Sequence, residues 1–564
     1  MGNSFQKGRP PMIRPQWVIS AQEKPESVRD VVRILLANRG AGPAFLDGTL
    51  KELETCLAIR GMDAGAELMA EHLAAGTRIV LVGDYDCDGI TSLAQVSLFL
   101  REIGYGNFET VVPRRSEGYG IPERAILDHP DAGLYVAMDC GTLDRKAVGM
   151  ARERGADCIV IDHHEVPDQG LAPATVLINP KHSECESTFK EFCSSGLTLL
   201  FLARLRRALR GFPKPALGGR FLILAAIATV ADMVPLVEGN RILVRSGLNC
   251  ANQVDYPPLD QLVQKAGLSG KSITAGHLGY YIGPRINAAG RMADARTAYE
   301  LLVEDDPSAA ARLAEQLNRY NTQRQNQEDA VVGEIRQRLA DRKVFGRTLV
   351  MADAGWPAGI IGIVASRVQQ EFHYGPVVVF SVDEAEGIAR GSARSIPGFD
   401  IHSALASCDD VMLRWGGHKM AAGMTIALDR MDEFAHRFEE SALHWPAHVF
   451  QPRGRVDAEL DTGLISVDLY RELTKLEPHG LGNPTPTFAS RGVRVQVKKT
   501  FGRDASHLRL QLDQRIGGVF WRGARHFRSA GLRDGETMDV VYQLDWDDYA
   551  GRPVMQVRDA GRLF

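Results

Sequence analysis

Residues 77–92 read TRIVLVGDYDCDGITS, an apolar run that ends in three acids at alternate positions, Asp84, Asp86 and Asp88, before a glycine leads into a helical pattern. Similar runs follow at intervals. LYVAMD (134–139) ends at Asp139, DCIVIDHH (157–164) ends at Asp162, His163 and His164, and ATVLINP (174–180) closes the series. Short apolar runs alternating with helices specify a parallel, doubly wound sheet, whose ligands gather at the carboxyl ends of the strands. Every acid and histidine named so far falls at such an end. The helix after the acidic loop is expected through Leu93 to Ile103, closed by Gly104.

Carboxylates crowded into one loop repel each other and hold each other's protons unless a cation neutralises them, so the loop calls for a divalent metal. The same letters also open a calcium-binding EF-hand loop, but there the twelfth residue is a bidentate Glu between helices. Here that position is Gln95 and the preceding element is a strand. Asp139 alone would serve equally as a helix N-cap, yet its place at a strand end lets it face the crevice of the first cluster. The pair His163-His164 reads either as a polar turn or as imidazole ligands, and the neighbouring acids favour ligands. Asp232 closes the very apolar run FLILAAIATVAD (221–232). A carboxylate beside such a buried segment needs a partner, again a cation.

The rest of the chain bounds what surrounds this crevice. At 564 residues it exceeds one hydrophobic core, and 45% apolar with 24% charged residues is a globular balance. No stretch is long and apolar enough for a membrane span. The opening MGNSFQKGRPPMIRPQW has no apolar core of a secretory signal, and Gln6 stands where a myristoylation motif at Gly2 has Ser or Thr. The cytoplasm is therefore expected, without membrane contact, and the eight scattered cysteines suit reduced thiols. Net charge is -4, so any nucleic-acid surface must come from local clustering. Two clusters exist: ARLRRALRGFPK (203–214), and the stretch from Arg491 to Arg533 with Lys498, Lys499, Arg503, Arg509, Arg522, Arg525 and Arg528.

From Pro307 to about Lys343 a polar pattern rich in Gln and Arg has no breaker before Gly333, which predicts one long connecting helix. A second α/β unit follows, with RTLVMAD and PVVVFSV around an apolar helix from Ile360 to Val368. The last hundred residues read as short strands, favouring a small β-barrel, although composition leaves a sandwich open.

The motifs DYDCDG, MDCG, DHHE and TVADMVPL (84–89, 138–141, 162–165 and 229–236) resemble, in order and spacing, those of the DHH phosphoesterase superfamily, and specifically its RecJ exonucleases. The likeness continues through GYYIGPRINAAGRMADA (279–295), LNRYNTQR (317–324), GWPAGIIGIVASR (355–367), GSARSIPGFDI (391–401), WGGHKMAAG (415–423) and LEPHGLGNPTPTF (476–488), so that it spans about residues 80 to 490.

The resemblance implies that Asp84, Asp86, Asp88, Asp139, His163, His164 and Asp232 surround two divalent cations, Mn²⁺ or Mg²⁺. Asp162 would orient the histidines without binding metal, and His418 would contact the phosphate being cut. Ser392 and Arg394 would hold a terminal 5′-phosphate together with an arginine near Tyr119. That residue is Arg114 counted from Gly118-Tyr119-Gly120 and Arg115 counted from Pro113; we take Arg114. Tyr119, and Arg285, Asn287 and Arg291 of the glycine-flanked block, are further candidates for DNA contact.

The implied architecture has an N-terminal extension (1–45), a DHH catalytic domain (46–305), the connecting helix (306–345), a DHH-associated α/β domain (346–445) and an OB-fold barrel (446–564). There Phe520, Trp521, Trp546 and Tyr549 would either stack on bases or fill the barrel core. The implied activity is 5′-to-3′ hydrolysis of single-stranded DNA to 5′-mononucleotides by two-metal catalysis, in repair and recombination. A monomer would work with a helicase and a single-strand-binding protein. A DHH oligoribonuclease or cyclic-dinucleotide phosphodiesterase, and an inactive single-strand-binding scaffold, are the alternatives. Departures from the family pattern are Pro357 for His, Ala393 for Gly and His479 for Phe, none at a proposed metal ligand.

Overall fold

The computed structural model describes residues 15–42, 44–167, 169–340, 346–502 and 505–564. Gly2, Gln6, Lys343 and Arg503 lie outside them.

The chain opens with β1 (Gln16–Ile19) and α1 (Val28–Asn38). The catalytic crevice is built on β2 (Ile79–Gly83), α2 (Cys87–Glu102), β3 (Phe108–Val111), β4 (Leu134–Met138), β5 (Asp157–Ile161) and β6 (Val176–Ile178). These strands form one parallel sheet in the order β3-β2-β4-β5-β6. Their residues alternate between two cores. Ile79, Leu81, Val136 and Ile159 pack on one face, while Val80, Val82, Tyr135, Ala137 and Val160 pack on the other. Burial on both faces is why these segments read as unbroken apolar runs. The strand order reverses direction between β2 and β4, the place where doubly wound sheets open a ligand crevice.

The helix after the acidic loop begins earlier than expected, at Cys87 and not near Leu93. The reason is a cap: Oδ1 of Asp86 accepts from the main-chain N–H of Asp88 (2.9 Å) and of Gly89 (3.2 Å), so the polar letters belong to the helix start. Gly89 is required there, because a Cβ would sit 2.4 Å from the Asp84 nitrogen.

Helices α3 (Ser194–Ala208), α4 (Arg220–Ala231) and α5 (Gly283–Met292) complete this body. α4 is apolar around its whole circumference and correspondingly buried. α6 (Pro307–Ala340) is a single 34-residue helix running through Gly333. Ala310, Ala314 and Leu317 near its start belong to the first core, whereas Val331, Val332, Ile335 and Leu339 near its end belong to the core of the next body.

That body contains β7 (Leu349–Asp353), α7 (Ile361–Glu371), β8 (Val377–Asp383), β9 (Ile388–Arg394), β10 (Arg414–Gly417), β11 (Ala421–Ala427) and α8 (Met431–Leu443), with sheet order β10-β11-β9-β8-β7.

The C-terminal unit comprises β12 (Arg453–Val456), β13 (Ala458–Glu459), β14 (Phe488–Phe501), β15 (His507–Leu512), β16 (Ile516–Phe520), β17 (Thr537–Asp547) and β18 (Arg552–Gly561). Strand β14 pairs with β15 on one side and with β17 on the other, bending at register shifts within Ser490–Val493 and Val497–Lys499. Strand order β14-β15-β16-β18-β17 thus returns to β14 and closes a barrel, which decides against a sandwich. The N-terminal segment docks here: β1 pairs in parallel with β12, and Val31, Ile34 and Leu35 of α1 enter the barrel core.

Candidate functional site

Three strand ends carry the site, and the sheet itself sets their register. The main-chain N–H groups of Asp84, Asp139 and Asp162 donate to the carbonyls of Met138 (3.3 Å), Ile161 (2.9 Å) and Ile178 (3.0 Å), each on the next strand. The acids are therefore fixed side by side along the carboxyl edge. Asp139 adopts a left-handed backbone, φ 64°, which an aspartate tolerates better than most residues and which is found at functional sites. It is not a helix N-cap.

Among the described residues, three groups bring metal-ligating atoms within 4.8 Å of one another: Asp84, Asp86 and Asp139; Asp88, His163 and Asp232; and Asp139, His163 and His164. Together they comprise the seven residues singled out in the sequence. Nε2 of His163 lies 3.4 Å from Asp139, 3.7 Å from Asp88 and 3.7 Å from Asp232, spacings that leave room for a cation among them. Oδ1 of Asp84 is buried with no hydrogen-bond partner. An orphaned carboxylate oxygen beside carboxylates and imidazoles is the donor set of a hard or borderline divalent ion, which fits Mn²⁺ or Mg²⁺.

The electrostatics carry the same message. Burial, then the charge of Asp86, pushes Asp84 up to about 8. The same two causes push Asp88 to about 6, although hydrogen bonds from the main chain of Ser195 and Ser194 oppose them. Asp139 and Asp232 are raised well above the carboxylate range by burial and then by the neighbouring acids. So many buried carboxyls of elevated pKa in one crevice mark a functional site and not a structural ion network.

Other groups hold these ligands in place. Burial alone would raise the pKa of Asp162, but the hydrogen bond from His164 and that residue's charge hold it well below the ordinary carboxylate range, so the group stays ionised. Its Oδ1 accepts from Nδ1 of His164 (2.7 Å) and from the main-chain N–H of His163 (2.8 Å), and its Oδ2 from the Thr142 hydroxyl (2.6 Å). Tyr119 donates its hydroxyl to the Asp139 carbonyl (3.1 Å) and sits 2.9 Å from Nδ1 of His164. Sequence reading missed Ser194 and Ser195. Their N–H groups, at the start of α3, donate to the two oxygens of Asp88 at 2.7 and 2.8 Å, and the Ser194 hydroxyl donates to Asp139 (3.1 Å). The only clue was a Ser-Ser-Gly run opening an apolar helix.

On the Asp84–Asp86 flank the structure gathers cations. Both Arg114 and Arg115 are exposed, but Arg115 lies over the Tyr85 ring, 5.2 Å from its centroid, while Arg114 caps a short turn, its main-chain N–H donating to Glu117 (2.6 Å). The geometry thus weighs the open choice toward Arg115. Arg291 is pushed down to about 10 by burial and then by Arg115 and Arg324, with Arg394 also close enough to act. It donates to the carbonyl of Gly359 (3.1 Å), just before α7. Arg394 donates to the hydroxyls of Ser392 (2.9 Å) and Ser366 (3.1 Å), and burial lowers it with no carboxylate in compensation. Ser366 and Arg324 were not anticipated as site residues. Asn287 uses its carbonyl oxygen to accept from the Cys87 N–H (2.8 Å), bracing the acidic loop. Arg285 does not join the cluster; it donates to Asn318 and to the carbonyls of Tyr281 and Lys265.

His418 is exposed on the loop after β10, in the second body. In the barrel Phe520 is core, Trp546 packs beside Tyr470, and Trp521 and Tyr549 are exposed. Trp521 stands with Phe501 and His507, whose ring centroids are 5.5 and 5.0 Å away. Lys498, Lys499, Arg509, Arg522, Arg525 and Arg528 are exposed on the same domain. In the other basic segment, Arg204 is engaged by Asp63 (3.3 Å).

Comparison with known proteins agrees in each part. Family models match for the DHH family N-terminal domain over residues 78–228, the DHHA1 domain over 343–442 and the RecJ OB domain over 456–559. The chain is 32% identical over 564 residues to the single-stranded-DNA-specific exonuclease RecJ of Dickeya dadantii, covering 95% of this chain and 96% of that one. To the Escherichia coli RecJ it is 31% identical over 570 residues, covering 97% and 98%. The crystal structure of RecJ in complex with Mn²⁺ from Thermus thermophilus superposes with a TM-score of 0.81 at 28% identity, covering 97% of this chain and 80% of that one. The Mg²⁺ complex gives 0.76 at 27% identity.

Proposed function

The chain belongs to the RecJ family of single-stranded-DNA-specific exonucleases, and from that premise we propose that it hydrolyses single-stranded DNA from the 5′ end, releasing 5′-mononucleotides by two-metal catalysis in DNA repair and recombination. The observation that carries this reading is the convergence of three carboxylates from separated stretches, Asp88, Asp139 and Asp232, around Nε2 of His163, with guanidiniums gathered on the Asp84–Asp86 flank.

Asp84, Asp86, Asp88, Asp139, His163, His164 and Asp232 would hold the ions. When bound, divalent ions there supply Lewis-acid chemistry, activating water for in-line attack on phosphorus and stabilising charge on the leaving oxygen. The remaining work belongs to the protein. Asp162 keeps the His164 ring turned so that Nε2 faces outward. The two main-chain donors on Asp88 hold its carboxylate without competing side-chain motion.

Arg115, Arg291, Ser392 and Arg394 bind the terminal 5′-phosphate, guanidinium forks suiting the phosphate oxygens. Seating that phosphate places the first internal phosphodiester at the carboxylates, where His418 reaches it from the second body. The chain divides for this task into a catalytic domain (46–305), a DHH-associated domain (346–445) and a barrel (446–564) that carries the N-terminal segment. The exposed Trp521 and the barrel's cations track the incoming strand.

Among the described residues, no helix is long and apolar enough to cross a membrane. A cytoplasmic monomer supplied with single strands by a helicase and a single-strand-binding protein fits the chemistry.

The test is digestion of 5′- and 3′-labelled oligonucleotides, single- and double-stranded, with Mn²⁺, Mg²⁺ or chelator. Metal-dependent release of mononucleotides from the 5′ end of single strands alone is expected. Activity surviving chelation, or attack from the 3′ end, would refute the proposal.

A further inference from the structure

Lys181 follows β6 and stands on the flank of the crevice opposite the arginine pocket. One fully buried side chain dictates its place. Asn179 accepts the Lys181 main-chain N–H at Oδ1 (2.9 Å) and donates from Nδ2 to the carbonyl of His164 (3.0 Å). The backbone of Lys181 is thereby pinned to that of His164. Its ammonium rests 2.8 Å from Oε1 of Glu165, the residue after His164, so the side chain folds back along the loop that carries the histidines. It is 23% exposed, and the Glu165 side chain 64%. In the sheet order β3-β2-β4-β5-β6, Arg115 follows the strand at one edge and Lys181 the strand at the other. Lys181 therefore lies across the carboxylates from the arginine pocket.

An ion pair this exposed contributes little and exchanges readily. A phosphodiester oxygen arriving at the crevice offers the ammonium a charge-assisted acceptor in a less solvated place. The arginine pocket marks where the strand's end is seated, at Asp84 and Asp86. A strand seated there, with its scissile phosphate at the carboxylates, continues across the sheet's carboxyl edge toward Lys181.

We propose that Lys181 binds the phosphodiester one nucleotide beyond the bond being cut, exchanging Glu165 for a DNA phosphate oxygen each time the strand advances. This rests on the exonuclease reading above. It makes Lys181 a substrate contact that governs grip on the remaining strand, distinct from the groups that act on the cleaved bond.

The test compares two 5′-phosphorylated substrates under steady-state conditions with Mn²⁺: a deoxydinucleotide, which has no phosphate beyond the cleaved bond, and an oligodeoxynucleotide several residues longer. Lys181→Ala should raise KM about tenfold for the longer substrate with kcat nearly unchanged, and leave the dinucleotide's constants as they were. The slope of log KM against log salt for the longer substrate should fall by about 0.7, the share of one phosphate contact on a single strand. Lys181→Met, which keeps the apolar stem, should repeat the alanine result, and Lys181→Arg should restore wild-type values. Equal effects on both substrates, or none on either, overturn the role of Lys181 alone. Wild-type protein that cuts neither substrate overturns the exonuclease reading and this inference with it.

Discussion

Oδ1 of Asp162 and Nδ1 of His164 are 2.7 Å apart, which holds a proton on Nδ1 and reserves Nε2 for a metal once its own proton leaves. A carboxylate behind an imidazole ligand fixes both its tautomer and its aim. Asp162→Asn should therefore weaken Mn²⁺ binding or turnover by about 10–100-fold while every ligand stays in place. Metal titration of the variant beside its nuclease rate measures this; wild-type affinity and rate together would contradict it.

Replacing a central ligand should have a larger effect. Asp139→Asn and His163→Ala are each expected to lower hydrolysis on the order of 10³-fold or more, while single-stranded DNA is still bound through the barrel and the arginine pocket. Asn is chosen at 139 because it also tolerates the left-handed backbone. Near-wild-type turnover in either purified variant would remove the site assignment.

Metal uptake should release protons. Without metal, Asp84 holds its proton up to about pH 8 and Asp88 up to about 6, and ligation requires the charged forms. Apparent affinity should therefore tighten as pH rises from about 6 to 8. For stability the sign is opposite in the metal-free protein. These pKa values are raised above the ordinary 3.8, so their contribution is complete below about pH 4 and is lost as pH climbs from there to about 6 for Asp88 and about 8 for Asp84. The rise in melting temperature caused by Mn²⁺ should grow correspondingly. Calorimetry in two buffers of different ionisation enthalpy counts the protons; a count of zero at pH 7 would contradict the burial of these acids.

Gly362 lies where a methyl group would come 2.8 Å from Nη2 of Arg394 and 3.1 Å from Oγ of Ser392. Gly362→Ala should displace the guanidinium more easily than the backbone. Preference for 5′-phosphorylated over 5′-hydroxyl ends should fall about tenfold, the worth of one charge-assisted contact. Competition between the two labelled substrates reads it directly.

Neighbouring aromatics of the barrel should behave differently. Trp521→Ala should weaken binding of long single strands by about 1–3 kcal/mol without altering the melting temperature, whereas Phe520→Ala, in the core, should destabilise the domain by about 3–5 kcal/mol. Binding isotherms and thermal melts separate the two.

The crevice was legible in the sequence because parallel strands buried on both faces leave long apolar runs, and because each run stops at the acid or histidine it presents. Asp84, Asp139 and His163 could be read that way. Of the groups that hold them, only Asp162 was anticipated. Ser194 and Ser195 act through main-chain N–H groups, to which side-chain letters are mute, and Asn179 lies behind an ordinary strand. The choice between Arg114 and Arg115 turned on a rotation of one residue in a short turn, which no count from a motif resolves. Helix α2 was placed too late because capping acids resemble a loop. The docking of β1 on β12 joins segments more than 400 residues apart, beyond the reach of local pattern.

The bridging helix α6 is anchored in both cores, Leu317 in one and Ile335 in the other. Over 34 residues it is a strut about 50 Å long, and it denies the two bodies freedom to slide apart. In the proposed reaction the gap between the seat for a strand's end and the place where the strand is severed is a built-in gauge that sets the length of each fragment, and a kink such as Val331→Pro should make that gauge imprecise before it stops the cutting.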